Sequence, residues 1–191
     1  MGKVKFGLSA CEYGVLGADN KIKTGGPKKL PGLTSAKLEL TNELKTLSAD
    51  DGPYVVISGG ITEAKLTIET YDLTSDARKD FFGIKVAKGV ETYTKDLTPN
   101  DVAIMFRTKM DDGKAVWIGL LKGKFNLPGI EASTVDGAPD PKADSIEGSF
   151  VARGDGDGAV LLIGREDATD FDFNEFKKLV FPSDAVAARS K

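Results

Sequence analysis

The sequence contains no histidine and only one cysteine, Cys11. Without histidine there can be no Ser–His–Asp triad, no Cys–His pair and no histidine-ligated metal. A single cysteine also excludes an intrachain disulfide and a cysteine-rich zinc site. Cys11 lies in an alternating apolar run, and free cysteine is often buried, so we expect a buried or half-buried strand thiol. These absences exclude most familiar catalytic and metal centres.

A basic surplus and a long apolar run are missing as well. The chain has 26 basic and 29 acidic residues and a net charge of −3, which argues against a dedicated nucleic-acid binder. No run of about 18 apolar residues and no signal-peptide pattern is present, so we expect a protein made and kept soluble in the cytoplasm. Its 191 residues suit a single domain, residues 1–191, that buries its own core.

The sequence is rich in turns between short alternating segments. It has 22 glycines and 8% aromatic residues, a balance typical of a mainly β protein. Residues 33–47 fit either a strand or a short helix, and we favour a strand because Thr34, Thr41 and Thr46 lower helix propensity. Further strands are predicted at residues 3–13, 54–57 and 64–71, and two hairpins are predicted from residues 101–110 with 115–126 and from 143–153 with 159–165.

Two helices are predicted where the apolar period changes. Leu73, Ala77 and Phe81 are spaced four apart with Phe82 adjacent, which indicates an amphipathic helix of about three turns, capped by Thr74 and ended by Gly83. In the C-terminal segment, residues 172–191, Asp172 and Glu175 form a capping box between two phenylalanines. We expect that second helix to end before Pro182 and to be followed by a frayed tail.

Three loops separate these elements: residues 14–32, 48–53 and 128–142. The first and third are long for a compact domain, which makes them candidates for function. In the second loop, Asp50 and Asp51 can bond to the local backbone and Gly52 is expected to supply a positive φ.

The sequence contains no complete motif for catalysis, cofactor binding or metal binding. Taken as a calcium loop from Asp155, the 154–158 turn places Ala159 and Val160 where a ligand and a glycine are needed. A dinucleotide fingerprint requires a helix after it, and here a strand is predicted. The pairs Asp50–Asp51 and Asp111–Asp112 lie in glycine-containing turns, where aspartate is expected for backbone reasons. We therefore predict no catalytic residue, no cofactor and no metal, hence no enzyme.

An ordered series of segments nevertheless resembles a known family. The chain resembles the phi13-type major tail proteins of long-tailed phages, which are tail-tube proteins. The matching segments are Lys28-Lys29-Leu30, residues 48–53, residues 66–83, residues 101–109, Trp117 with residues 121–125, Pro128, residues 144–148 and the aromatic C-terminal helix. They span nearly the whole chain, although the loop at 128–142 does not align.

The resemblance implies a tail-tube fold, a β-sandwich or small barrel with one flanking α-helix and a short C-terminal helix. It implies a virion protein made in the host cytoplasm, with six copies closing into a ring and rings stacking into a hollow tube. DNA would pass through the lumen during ejection without specific binding, and an acidic lumen would let it slide. The implied partners are the chain itself, a tape-measure protein, a baseplate initiator and a tail terminator, with no membrane.

From this we expect two kinds of contact between subunits. Leu73, Ala77, Phe81 and Phe82 are predicted to lie at a subunit boundary. The 48–53 turn, with Ala49, Asp50, Asp51, Gly52 and Pro53, and the loops at 14–32 and 128–142 are predicted to reach the next subunit or ring. Sheet edges of neighbouring copies are expected to join.

Two other functions stay open at this point. A monomeric ligand- or glycan-binding β-sandwich would need a cluster of exposed aromatic residues, and only Trp117 and scattered tyrosines are available. A hydrolase working through carboxylates would need a pair outside a turn.

Overall fold

A computed structural model describes residues 5–23, 25–49, 51–129, 142–155 and 157–183, and within these ranges the chain is mainly β, as predicted. The predicted loop at 128–142 and the predicted tail fall largely outside these ranges, as does Asp50. The elements are β1 (Lys5–Val15), β2 (Lys28–Leu30), β3 (Leu33–Ala49), β4 (Gly52–Thr70), α1 (Ser75–Phe82), β5 (Lys85–Ala87), β6 (Val90–Thr92), β7 (Val102–Met110), β8 (Ala115–Phe125), β9 (Asp144–Phe150), β10 (Leu161–Arg165) and α2 (Phe173–Val180).

Eight strands form one antiparallel sheet. Seven of them follow the order β2-β1-β7-β8-β9-β4-β3, and the eighth, β10, pairs with β8. β5 and β6 form a separate small hairpin. β1, near one end of the large sheet, contacts β3 at the other end, so the two ends lie close together. The sheet therefore curls around its inner face like an open barrel.

The inner face of the sheet holds the main core. Leu66, Ile68 and Ile104 are completely buried there with the two phenylalanines of α1, Phe81 and Phe82. The ring of Phe81 lies between those of Tyr13 and Phe125, with centroids 4.5 and 4.8 Å away. Cys11 is also buried in this core, as predicted.

Helix α1 begins and ends where its sequence predicted. The Thr74 hydroxyl accepts a hydrogen bond from the Ala77 N–H at 3.2 Å, and Gly83 ends the helix with a φ of 72°. The helix has eight residues, which is about two turns rather than the predicted three, because only residues between the two caps can be helical.

Helix α2 covers part of the outer face and forms a second core with β7, β8 and β10. Asp172 caps it by accepting from the N–H groups of Asn174 and Glu175, as predicted. The ring of Phe173 lies 4.4 Å from that of Trp117, and Phe176 and Val180 are buried. In the described part of the chain, neither helix is long and apolar enough to cross a membrane.

The predicted hairpin from residues 101–126 is present as β7 and β8, but the hairpin from 143–165 is wrong. β9 and β10 do not pair with each other; both pair antiparallel with the same edge of β8, β10 along residues 116–120 and β9 along 123–125. Two strands that are both antiparallel to β8 run in the same direction, which a hairpin does not allow.

The loop predictions need two corrections. The 14–32 loop is shorter than predicted, because β1 continues to Val15 and β2 occupies Lys28–Leu30. Residues 54–57 and 64–71 were predicted as separate strands but belong mostly to one 19-residue strand, β4. The turn predicted at residues 48–53 is shorter, because β3 extends to Ala49 and β4 begins at Gly52. The residue with a positive φ, 61°, is Asp51 rather than Gly52.

Candidate assembly surface

The apolar stripe of α1 is buried within the chain itself. Leu73, Ala77, Phe81 and Phe82 are buried in the chain's own core, with at most 6% of any of them exposed. A side chain already covered by its own fold has no surface left for another copy. The four side chains thus pack inside the chain, and the expectation that α1 lies at or near a subunit boundary stays a prediction.

The most unusual feature of the structure is a long arm formed by β3 and β4. The two strands pair along their whole length, from Leu33 with Thr70 to Ala49 with Gly52. β4 is supported on its other side by β9 only from Ala64 to Thr70. Residues 40–49 and 51–63, here called the arm, therefore form a two-stranded ribbon about 30 Å long. An isolated ribbon of this kind is at best marginally stable in water.

The predicted loop residues lie at the far end of this arm. Ala49 is the last residue of β3, and Gly52 and Pro53 begin β4, with Asp51 at the turn between them. The turn itself carries no apolar cluster. The side chains suited to a contact are instead those of the two strands behind it.

Eight large apolar side chains of the arm are exposed to solvent. Their exposed fractions run from 39% to 77%. The residues are Leu40, Leu44, Leu47, Tyr54, Val55, Val56, Ile57 and Ile61. Large apolar side chains concentrated in one exposed segment are typical of an interaction site, whereas apolar residues scattered singly over a surface are common.

The strand register assigns these residues to faces of the ribbon. Between Leu38 and Ser48 every extra residue at a bulge lies in β4, so β3 alternates without interruption. Leu40 and Leu44 therefore lie on the same face as Leu38. Ile61 and Val56 of β4 lie on this face too, paired with Asn42 and Thr46 of β3. We call this the core-side face, because it continues the apolar inner face of the sheet beyond the body.

The opposite face of the arm changes character along its length. Near the body it carries Glu39, Thr41 and Glu43, and these positions are exposed. Toward the turn it carries Ile57, paired with Lys45, and then Leu47, paired with Val55. In the outer part of the arm, residues 44–49 and 51–58, here called the tip, both faces thus carry large apolar side chains, although Lys45 also lies on this face. The base, residues 40–43 and 59–63, carries them only on the core-side face.

The polar part of this face belongs to an open polar surface of the sheet. Lys37 pairs with Glu39 at 2.6 Å, and Lys65 of β4 pairs with Glu147 of β9 at 2.6 Å. The hydrogen bond from Lys37 lowers the pKa of Glu39. Salt bridges this exposed contribute little stability, so this surface is built to face water.

Several strand edges in the described part of the chain have no partner. β3 is the last strand of the sheet, β4 has no neighbour beyond Ala64 on its β9 side, and β10 pairs only with β8. Natural proteins protect exposed edges or pair them with another chain.

A groove lies at the base of the arm, between two of these edges. It has a volume of about 350 Å³ and is lined by the β4 segment at Ile61, by Phe150 and Val151 at the end of β9, and by Val160 and Leu161 at the start of β10. Val151 is 58% exposed at this site. The groove is therefore open to solvent and lined by aliphatic side chains together with Thr62 and Glu63.

A second cavity, also about 350 Å³, lies beside α1. The Asp80 carboxylate accepts hydrogen bonds there from the Tyr13 hydroxyl at 3.1 Å and from Lys28 at 2.7 Å. Burial, reinforced by Asp80, raises the pKa of Tyr13. Tyr13 is the one aromatic residue among those lining the cavity, so the cavity lacks the aromatic cluster that a sugar-binding site would use.

Within the ranges that the structure describes, no three acidic or cysteine residues come together to hold a metal ion. The paired aspartates considered above lie at turns, as their glycine neighbours predicted: Asp111 and Asp112 between β7 and β8, and Asp51 at the tip of the arm. No protein-family model matches this chain, and no curated protein matches it in sequence. The arm is thus the feature of the described residues that points most directly to a function.

Proposed function

We propose that this chain is a structural subunit that assembles with copies of itself through the β3–β4 arm. The main support for this proposal is the arm, a ribbon with eight exposed apolar side chains that extends beyond the part of β4 paired with β9. Monomeric soluble proteins rarely expose this much apolar surface in one segment, and such a surface is typical of an interaction site. A neighbouring copy that covers it removes this apolar surface from water.

The specific assembly we propose is the one implied by the resemblance to major tail proteins. Six copies close into a ring, rings stack into a tail tube, and DNA passes through the lumen when the genome is ejected. The partners are the chain itself, a tape-measure protein, a baseplate initiator and a tail terminator. Free edges on β3 and β10 support a ring, because they allow sheets of adjacent copies to join.

The polar surface around Glu39, Lys65 and Glu147 is the part of the sheet that we assign to the lumen. Lys37 pairs there with Glu39 and Lys65 with Glu147, and Glu43 and Glu63 lie on the same face. A face with its lysines paired and more carboxylates than lysines gives DNA phosphates no basic surface to bind, so DNA can slide past. A lumen lined by this surface would be acidic rather than basic.

Sedimentation and negative-stain microscopy of concentrated protein test the proposal with two variants. Leu44→Lys places a charge on the core-side face of the arm, and we expect it to abolish rings and tubes, because a buried lysine without a partner is strongly disfavoured. Thr41→Lys, the matched control on the polar face of the same strand, should still assemble. Both positions are exposed, so both variants should fold.

Wild-type protein that remains monomeric at every concentration, even with its tail initiation complex, would contradict the proposal. Equal assembly by the two lysine variants would also contradict it, because association would then not use the arm.

A further inference from the structure

The two ends of the arm differ in how many of their faces are apolar. At the base, Leu40 and Ile61 make one face apolar, while Glu39 and Thr41 keep the other polar. At the tip, the register places Leu44 on one face and Ile57 on the other. One covering surface would satisfy the base of the arm but would leave half of the apolar tip in water.

The area of the ribbon leads to the same requirement. Each face of the arm is about 30 Å long and about 10 Å wide, from a rise of about 3.3 Å per residue and a strand spacing of about 4.8 Å, which is about 300 Å². A stable interface takes about 800 Å² from each partner. One face provides less than half of this area, so a contact through one face of the arm alone would be small for a stable interface.

The chain itself carries a surface suited to receive the tip. The groove at the base of the arm presents Val151, Val160 and Leu161, which match the aliphatic side chains of the tip, and Thr62 and Glu63 line it as well. Along two sides the groove is bounded by the free edges of β4 and β10. An incoming strand could pair its backbone with either edge, as in other cases of strand addition.

We infer that the arm tip is a two-sided wedge. In the assembly both of its faces are covered by neighbouring copies of this chain, and the groove at the base of the arm provides one of the covering surfaces. The base of the arm keeps its polar face in water. This inference rests on the proposed function and adds to it which surface receives the arm.

Cysteine labelling can measure which face is covered. Single variants Leu44→Cys and Ile57→Cys report on the two faces of the tip, Val151→Cys reports on the groove, and Thr41→Cys is the control on the polar face. The native Cys11 can be kept, because burial raises its pKa to about 12 and leaves 3% of it exposed, so it does not compete for a maleimide. Each variant is co-assembled with excess wild-type chain, so that the variant itself need not drive assembly.

The expected result is that labelling at positions 44, 57 and 151 slows by about tenfold or more on assembly, because those thiols become buried, while labelling at position 41 changes little. Protection of only one of positions 44 and 57 would overturn the wedge. Full labelling at position 151 would overturn the groove as a receiving surface. In both cases assemblies would still be present, whereas a complete lack of assembly would refute the proposed function and this inference with it.

Discussion

Replacing Arg153 with methionine should destabilise the folded chain by releasing the end of helix α2. Arg153 is only 7% exposed, although arginine is rarely buried without partners. Its guanidinium donates to the last carbonyls of the helix, to Leu179 at 2.9 Å and to Val180 at 3.2 Å. It also pairs with Asp155 through two contacts of 2.8 Å. A positive charge at this end of a helix also interacts favourably with the helix dipole.

The expected loss can be estimated from these contacts. Each charge-assisted hydrogen bond to a helix carbonyl contributes about 1.5 kcal/mol, so the two together contribute about 3 kcal/mol. The Asp155 carboxylate is about half exposed, so its pairing is screened and adds less than about 1 kcal/mol. We therefore expect Arg153→Met to lower the free energy of unfolding by about 3 kcal/mol.

Arg165 provides a matched control, because it makes the same pairing with an aspartate two residues later. Its contacts to Asp167 are 3.0 and 3.1 Å, but its side chain is 47% exposed and bonds to no helix carbonyl. Arg165→Met should therefore lose less than about 1 kcal/mol.

Urea unfolding followed by Trp117 fluorescence measures both effects, since Trp117 contacts α2 through Phe173. The measurements belong in the Leu44→Lys background at low protein concentration, because association would raise the apparent stability. If the two arginine variants lose the same free energy, the assignment of Arg153 as the anchor of α2 is refuted.

Two further predictions concern the interior of the sheet. The Glu166 carboxylate accepts hydrogen bonds from the Trp117 indole and the Ala115 N–H, both at 2.9 Å, and these, led by the Trp117 bond, lower its pKa below 4.5. This stabilisation is present above the unfolded pKa and is lost as pH falls through the folded pKa, so Glu166→Gln should flatten the acid side of a stability–pH curve; an unchanged curve would contradict it. Gly123→Ala should lose about 1–3 kcal/mol in urea unfolding, because the added carbon would lie 2.6 Å from the Ser149 carbonyl oxygen. Gly52→Ala, where nothing lies within 4 Å, should be nearly neutral, and equal losses would refute the packing argument.

Local patterns in the sequence predicted much of the fold. Helix α1 and its caps at Thr74 and Gly83, helix α2 with its Asp172 cap, and the 101–126 hairpin all depend on interactions between residues close in sequence. The predicted 143–165 hairpin does not form, because β9 and β10 both pair with β8 and not with each other. Which edge a strand joins is decided by the whole sheet, and nothing in the segment between Phe150 and Leu161 encodes it.

The sequence also could not separate apolar residues that the chain covers itself from those that it leaves exposed. The stripe with Leu73, Ala77 and Phe81 was correctly identified as apolar, but periodicity shows only that a face is covered, not by what. For Leu44 and Ile57 the reverse holds. In sequence they resemble core residues of an ordinary strand, but they are exposed because β9 does not pair with β4 on the turn side of Ala64. Arg153 carries no local signal at all, since its partners Leu179 and Val180 are distant in the chain.

The arm and the rest of the domain, called the body, differ in what covers their apolar side chains. Every residue that is buried in the two hydrophobic cores lies outside residues 40–63. The body therefore completes its core without the arm, and the arm gains most of its apolar burial only from other chains. A charge on the arm should accordingly change association strongly and folding little, whereas a cavity at Phe81 or Phe125 should do the reverse. The apolar content of β3 and β4 is thus divided between two tasks, with Leu38 and Leu66 holding the fold and Leu44 and Ile57 available for association.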